Sequence, residues 1–256
     1  MNYEGPIRRV EGRTYKGQPT HHYEDINGKR IPGVTTILGK GMPKPALLNW
    51  GIKSVAEYAV NNREDLADMA PTAMLDTLKG APYRERDLAA KRGTEVHALA
   101  EQLLQGNPVT VPGELDRHVE HYLEFLQAFN PQPVLVEAVV YNCEYGYAGT
   151  LDHISTVGDE RWLFDVKTSK GVYAETAYQL AAYRYATHYV DADGHEQPMI
   201  PVDRCAVIHV TEKGWAVIPM QADESVLKAF RHISVVARES ETNGAYVGAA
   251  ITEASA

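Results

Sequence analysis

The chain has 256 residues, 44% apolar and 23% charged, the balance of an ordinary globule able to bury one sizeable core and an appended subdomain. Its formal net charge of −9 argues against nucleic acid bound across the whole surface, although residues 1–60 hold 9 basic against 5 acidic side chains. No apolar run reaches the roughly 20 residues of a membrane helix, MNYEGPIRRVEGR lacks a signal-peptide core, and two cysteines build no disulfide framework, so a cytoplasmic protein with no membrane partner is expected.

Residues 19–34, PTHHYEDINGKRIPGV, read as a hairpin with Asn27-Gly28 in a type I′ turn. His21 and His22 are adjacent in a strand and so face opposite ways, a surface pair rather than a metal site. Gly39-Lys40-Gly41 breaks the pattern, and Pro45 suits the first turn of a helix running to about Asn61. Residues 63–79 are helical with an interruption at Pro71. The expected organisation is a basic hairpin-and-helix subdomain over 1–80, a core over 81–242 and a mobile, small-residue-rich tail over 243–256.

Helix 87–105 carries an apolar face of Val96, Ala100, Leu103 and Leu104, bordered by His97; Gly93, one turn earlier, leaves room for another element. Helix 116–129 turns Val119, Tyr122, Leu123 and Leu126 inward and ends at Asn130-Pro131. Strand 134–141, VLVEAVVY, is apolar except for Glu137, which is either a site carboxylate or half of an ion pair with a basic neighbour.

Two strand-like runs follow, AGTLDHIS and LFDVKT, joined by a turn at 157–160. Alternation puts Asp165 and Lys167 on one face with Leu163, and Asp152 on the face of Ala148, Thr150 and Ile154. Charges in such apolar strands are costly unless paired or bound to metal. Two carboxylates and a lysine converging on one patch suit Mg²⁺ or Mn²⁺, with the ammonium steering a water or holding a phosphate. Helix 173–189 aligns Glu175, Gln179 and Tyr183 on one face. Asp191 to Gly194 is a polar loop lacking the later ligands of a calcium loop. A second hairpin, 203–210 with 215–220, and a helix over 222–240 complete the chain.

The ordered set His97, Glu137, Gly149-x-x-Asp152, Asp165-Val166-Lys167 and Gln179-x-x-x-Tyr183 resembles the RecB-like and phage exonuclease branch of the PD-(D/E)xK nucleases. Leu151 stands where the family's motif has proline, and the likeness covers roughly residues 90–190. The resemblance implies an α/β fold with a PD-(D/E)xK restriction-endonuclease-like core, a mixed central sheet flanked by helices. It implies a metal-dependent deoxyribonuclease, specifically an exonuclease, serving DNA recombination, repair or phage DNA processing in the host cytoplasm. His97, Asp152, Asp165 and the Val166 carbonyl would hold Mg²⁺ or Mn²⁺, with Glu137 near it or near a second ion. Lys167 would position or deprotonate the attacking water or stabilise the phosphorane-like state, while Gln179 and Tyr183 would align the phosphate. Some relatives carry an iron–sulfur cluster, which needs about four thiolates; with only Cys143 and Cys205, no cluster is expected. DNA is the expected partner, with a homo-oligomer or a recombination protein beside it. The competing reading is a non-catalytic DNA-binding accessory protein on a nuclease fold.

Overall fold

In the computed structural model, which describes residues 3–14, 17, 19–242 and 246–248, the apolar runs of the second half pair into a five-stranded sheet with helices on both faces. The N-terminal strands β1 (Arg8–Arg13), β2 (Pro19–Glu24) and β3 (Arg30–Ile31) make a separate antiparallel sheet. The β2–β3 hairpin is present, but its turn differs from the expected type I′. Gly28 has φ 77° while Asn27 has no positive φ, and type I′ needs both. Gly28 N–H donates to the Asp25 carbonyl at 3.0 Å, and the buried Asp25 carboxylate accepts the N–H groups of Asn27 and Lys29 at 2.9 Å each. That side chain favours a type I turn closed by a left-handed glycine.

Four helices follow: α1 (Val34–Gly41), α2 (Pro45–Asn61), α3 (Arg63–Ala67) and α4 (Pro71–Leu104). Pro71 heads α4 rather than interrupting a helix, since its missing N–H costs nothing in the first turn. The 34-residue α4 then runs through Pro82, merging what the sequence presents as two helices. Helix α5 (Asp116–Phe129) ends at Asn130 in the left-handed region, φ 42°.

The expected strand 134–141 divides into β4 (Gln132–Val136) and β5 (Val139–Asn142), because Glu137 between them takes φ 48°. Strands β6 (Tyr147–Thr150), β7 (His153–Val157) and β8 (Glu160–Lys167) follow, with a break at Leu151-Asp152. Helix α6 (Glu175–Arg184) is shorter than expected, and His188 to Val190 form β9 (His188–Val190), paired with β5 and with β10 (Glu196–Pro198). The second hairpin is β11 (Arg204–Thr211) with β12 (Gly214–Pro219), and α7 (Glu224–Thr242) closes the core. Apart from 246–248, the expected mobile tail lies outside the described residues.

The central sheet has the order β12-β11-β8-β7-β4, with β8 and β11 parallel and the other pairs antiparallel. It is the mixed sheet of an α/β fold, flanked by helices. On one face Phe164, Val166, Ala206 and Ile208 pack against Ala100 of α4 and Tyr122 and Phe125 of α5. On the other, Leu163, Cys205 and Val207 meet α6, α7 and α1. A β-carbon at Gly41 would lie 2.4 Å from the Ile233 carbonyl, so glycine is what lets α1 cross α7 at this distance. Among the described residues, no helix is long and apolar enough to cross a membrane.

Candidate active site

Strand β8 organises the site by alternation. Val166 turns to the α4–α5 layer with Phe164, while Asp165 and Lys167 share the face of Leu163, towards α6. Asp165 is 2% exposed. Its carboxylate is held by Lys167 Nζ at 2.6 Å and by Gln179 Nε2 at 2.9 Å. Gln179 Nε2 also lies 3.4 Å from the Tyr183 hydroxyl. The i, i+4 spacing on α6 therefore sets Tyr183 beside Gln179, which reaches β8. Glu175, one turn earlier, pairs instead with Lys44 at 3.1 Å.

The Tyr183 ring is buried against Gly149, where a β-carbon would fall 2.4 Å from its Cε1. Glycine in Gly149-x-x-Asp152 is thus a packing requirement. Gly93 is under less pressure: a β-carbon there would sit 3.5 Å from Thr168 Oγ1, an ordinary contact.

Asp152 lies at the β6–β7 break rather than in one continuous strand with Ala148, Thr150 and Ile154. The β7–β8 ladder ends with His153 opposite Phe164. Beyond it, Asp152 Oδ2 accepts the Val166 N–H at 2.6 Å, a side chain standing in for the missing backbone partner. The same oxygen is 3.4 Å from His97 Nδ1 of α4. The Glu137 N–H donates to the Asp152 carbonyl at 2.8 Å, which fixes the left-handed bend beside the site.

One ligand atom each from His97, Glu137 and Asp152 lies within 4.8 Å of the others, a set able to hold a cation. These three and Val166 line one narrow cleft with Glu101 and Tyr122. Asp165, on the opposite face of β8, is outside that trio, its carboxylate engaged by Lys167 and Gln179. Both surroundings considered for Glu137 are present, since Arg9 Nη1 is 3.9 Å from its Oε2.

The charges are unbalanced. Burial, reinforced by the charge of Asp152, pushes the Glu137 carboxyl up to about 7. Burial also raises Asp165; Lys167 opposes the shift and Asp152 adds to it, leaving the group at about 6. Asp152 moves the other way: burial would raise it, but His97, Lys167 and the Val166 N–H together hold it below the ordinary range. Burial would likewise lower His97 and Lys167. The carboxylates outweigh it, so the imidazole rises to about 9 and the ammonium stays charged.

Two neighbours carried no warning in the sequence. Tyr122 reads as one more inward apolar residue of α5, yet its buried hydroxyl finds no hydrogen-bond partner among the described residues and borders the cleft. Arg9 is brought beside Glu137 by β1; the basic excess of residues 1–60 marks its region but not the residue.

No protein-family model matches the chain, and no curated protein matches it. Among solved structures, the chain is similar to SSO0001, at 16% identity over 74% of this chain and 70% of that one, with a TM-score of 0.30. It is also similar to an alkaline exonuclease, LHK-Exo, from Laribacter hongkongensis, at 13% identity over 60% and 81%, TM-score 0.34. The same exonuclease in complex with dAMP gives 14% identity over 60% and 81%, TM-score 0.32.

Proposed function

We propose that the chain is a divalent-metal-dependent DNA nuclease, specifically an exonuclease, that hydrolyses phosphodiester bonds. One observation carries the reading: three carboxylates, Glu137, Asp152 and Asp165, gather near the C-terminal end of β8 with one imidazole and one ammonium, and burial, reinforced by the charge of Asp152, raises two of the three. A divalent cation is the group such a donor set lacks. His97, Asp152, Asp165 and the Val166 carbonyl would hold it, Asp165 turning from Lys167 and Gln179 to do so, with Glu137, already grouped with His97 and Asp152, adjacent. These oxygen and imidazole donors suit Mg²⁺ or Mn²⁺. When bound, such an ion acidifies water and screens a phosphate.

The remaining roles fall to the chain itself. His97 must give up its proton to serve as a ligand, so loading releases a proton at neutral pH. Lys167, kept protonated by Asp165, supports charge stabilisation at the phosphate over proton abstraction. Gln179 holds Asp165 in place with the Tyr183 hydroxyl beside it, and the two would present uncharged donors to a phosphate oxygen. The test is incubation with linear and covalently closed circular duplexes in Mg²⁺, Mn²⁺ or EDTA. Loss of the linear DNA alone, and only with an ion, is expected. A protein that binds DNA but cuts neither form in any metal is an accessory binding module.

A further inference from the structure

Helix α7 carries its acids, Glu224, Glu239 and Glu241, near its two ends and only bases between them: Lys228, Arg231, His232 and Arg238. Lys228, Arg231, Val235 and Arg238 recur at steps of three and four, so they share an exposed face, while Phe230 and Ala237 are buried on the other. That face forms one wall of an open groove, and Glu144 and Tyr145 of the β5–β6 turn form the opposite wall. The Arg231 guanidinium lies 3.9 Å over the Tyr145 ring, which fixes it, and Arg238 Nε donates to the Ser234 carbonyl at 3.3 Å. The ion pair made by α7 joins Glu241 to Lys40; among the described residues, Lys228, Arg231 and Arg238 have no carboxylate within ion-pair reach. The groove shares no residue with the cleft of His97, Asp152 and Glu137.

We propose that this groove binds the sugar–phosphate backbone of duplex DNA outside the catalytic cleft, an assignment that rests on the nuclease reading. A chain of net charge −9 must meet a polyanion through a local cationic surface. Lys228 to Arg238 spans about 15 Å of helix, enough to meet two or three successive phosphates. The Tyr145 face is already covered by Arg231, so it offers no base-stacking platform of the kind single-strand binders use. Contact is then with the backbone and is independent of sequence.

The experiment compares wild type with the triple variant Lys228→Gln, Arg231→Gln, Arg238→Gln by fluorescence anisotropy. The probe is a labelled duplex of about 30 base pairs, in EDTA, across about 50 to 200 mM NaCl. All three side chains are exposed, and matching circular dichroism and Tm establish that the variant is folded. Affinity at the lowest salt should fall at least about tenfold, and the slope of log K against log salt should shrink by roughly two to three, near 0.9 per lost phosphate contact. A folded variant with wild-type affinity and slope overturns the proposal. So does a single strand of equal length that binds more tightly than the duplex through the same three residues. Wild type that never cuts DNA, yet binds it through this groove, removes the nuclease reading and keeps the groove. Cleavage with groove-independent binding does the reverse.

Discussion

Gly149 and Tyr183 touch so closely that a single added methyl group at Gly149 would overlap the tyrosine ring, 2.4 Å from its Cε1. Tyr183 neighbours Gln179, and Gln179 holds Asp165, so the crowding reaches the site carboxylate through two contacts. Gly149→Ala should destabilise the protein by about 1–3 kcal/mol, as overpacking of a filled core does. It should also slow DNA cleavage while Mn²⁺ still binds. Trimming the ring in Gly149→Ala/Tyr183→Leu should recover part of the lost Tm. A double-mutant cycle with no coupling energy would show that the ring and the glycine are independent.

The crowded carboxylates make a second prediction direct. Mn²⁺ at about one hundred times its Kd should stabilise the wild type by about 2.7 kcal/mol. Asp152→Asn and Asp165→Asn should each lose most of that gain together with DNA cleavage. Calorimetry in two buffers of different ionisation enthalpy should report the proton released from His97. Full Mn²⁺ stabilisation in Asp165→Asn would remove Asp165 from the ligand set and leave His97, Glu137 and Asp152, the trio already gathered.

Much of this arrangement is legible in the residues, and the exceptions have physical causes. Alternation in LFDVKT places Asp165 and Lys167 on one face, and the spacing on α6 brings Gln179 over it with Tyr183 alongside. The break at Glu137 is not legible: VLVEAVVY holds no glycine, proline or asparagine to announce a positive φ. The bend arises because β4 and β5 belong to different sheets, a tertiary demand that overrides strand propensity. Likewise His188 and Tyr189 continue a helical pattern on paper, yet Tyr189 pairs with Val140. Asp152 is the most instructive case. Its charge marks the site, but no periodicity reveals that its side chain would replace a backbone group in the ladder at Val166.

The raised carboxyl of Glu137 sets a pH dependence. Its pKa is about 7 in the folded protein against an ordinary 4.5, so the folded state holds the proton more tightly. That contribution to stability is fully present below about pH 4.5 and is lost as pH rises through 7. Glu137→Gln lacks this loss. In EDTA, its Tm relative to wild type should climb between pH 5 and 8, by the equivalent of roughly 1–2 kcal/mol once solvent screening of this partly exposed side chain is allowed for. Asp165 and His97 titrate with the same sign in both proteins and largely cancel in the difference. A gap that widens towards acid instead would refute the assignment.

Lys167 separates a catalytic site from a merely anionic cleft. Its ammonium is held 2.6 Å from Asp165 and stays protonated, so its expected task is to oppose charge on the phosphate rather than to ligate an ion. Lys167→Ala should lower the cleavage rate on the order of 10²–10⁴-fold, as loss of a charge-stabilising group does. Mn²⁺ affinity should hold or rise slightly, because a neighbouring positive charge has gone. DNA affinity should fall only modestly, the salt slope changing by about one unit for one phosphate contact. Lys167→Arg keeps the charge and should recover part of the rate, whereas Lys167→Met keeps most of the bulk and should not. Equal rates for the methionine and arginine variants would mean that the charge is not what the reaction uses.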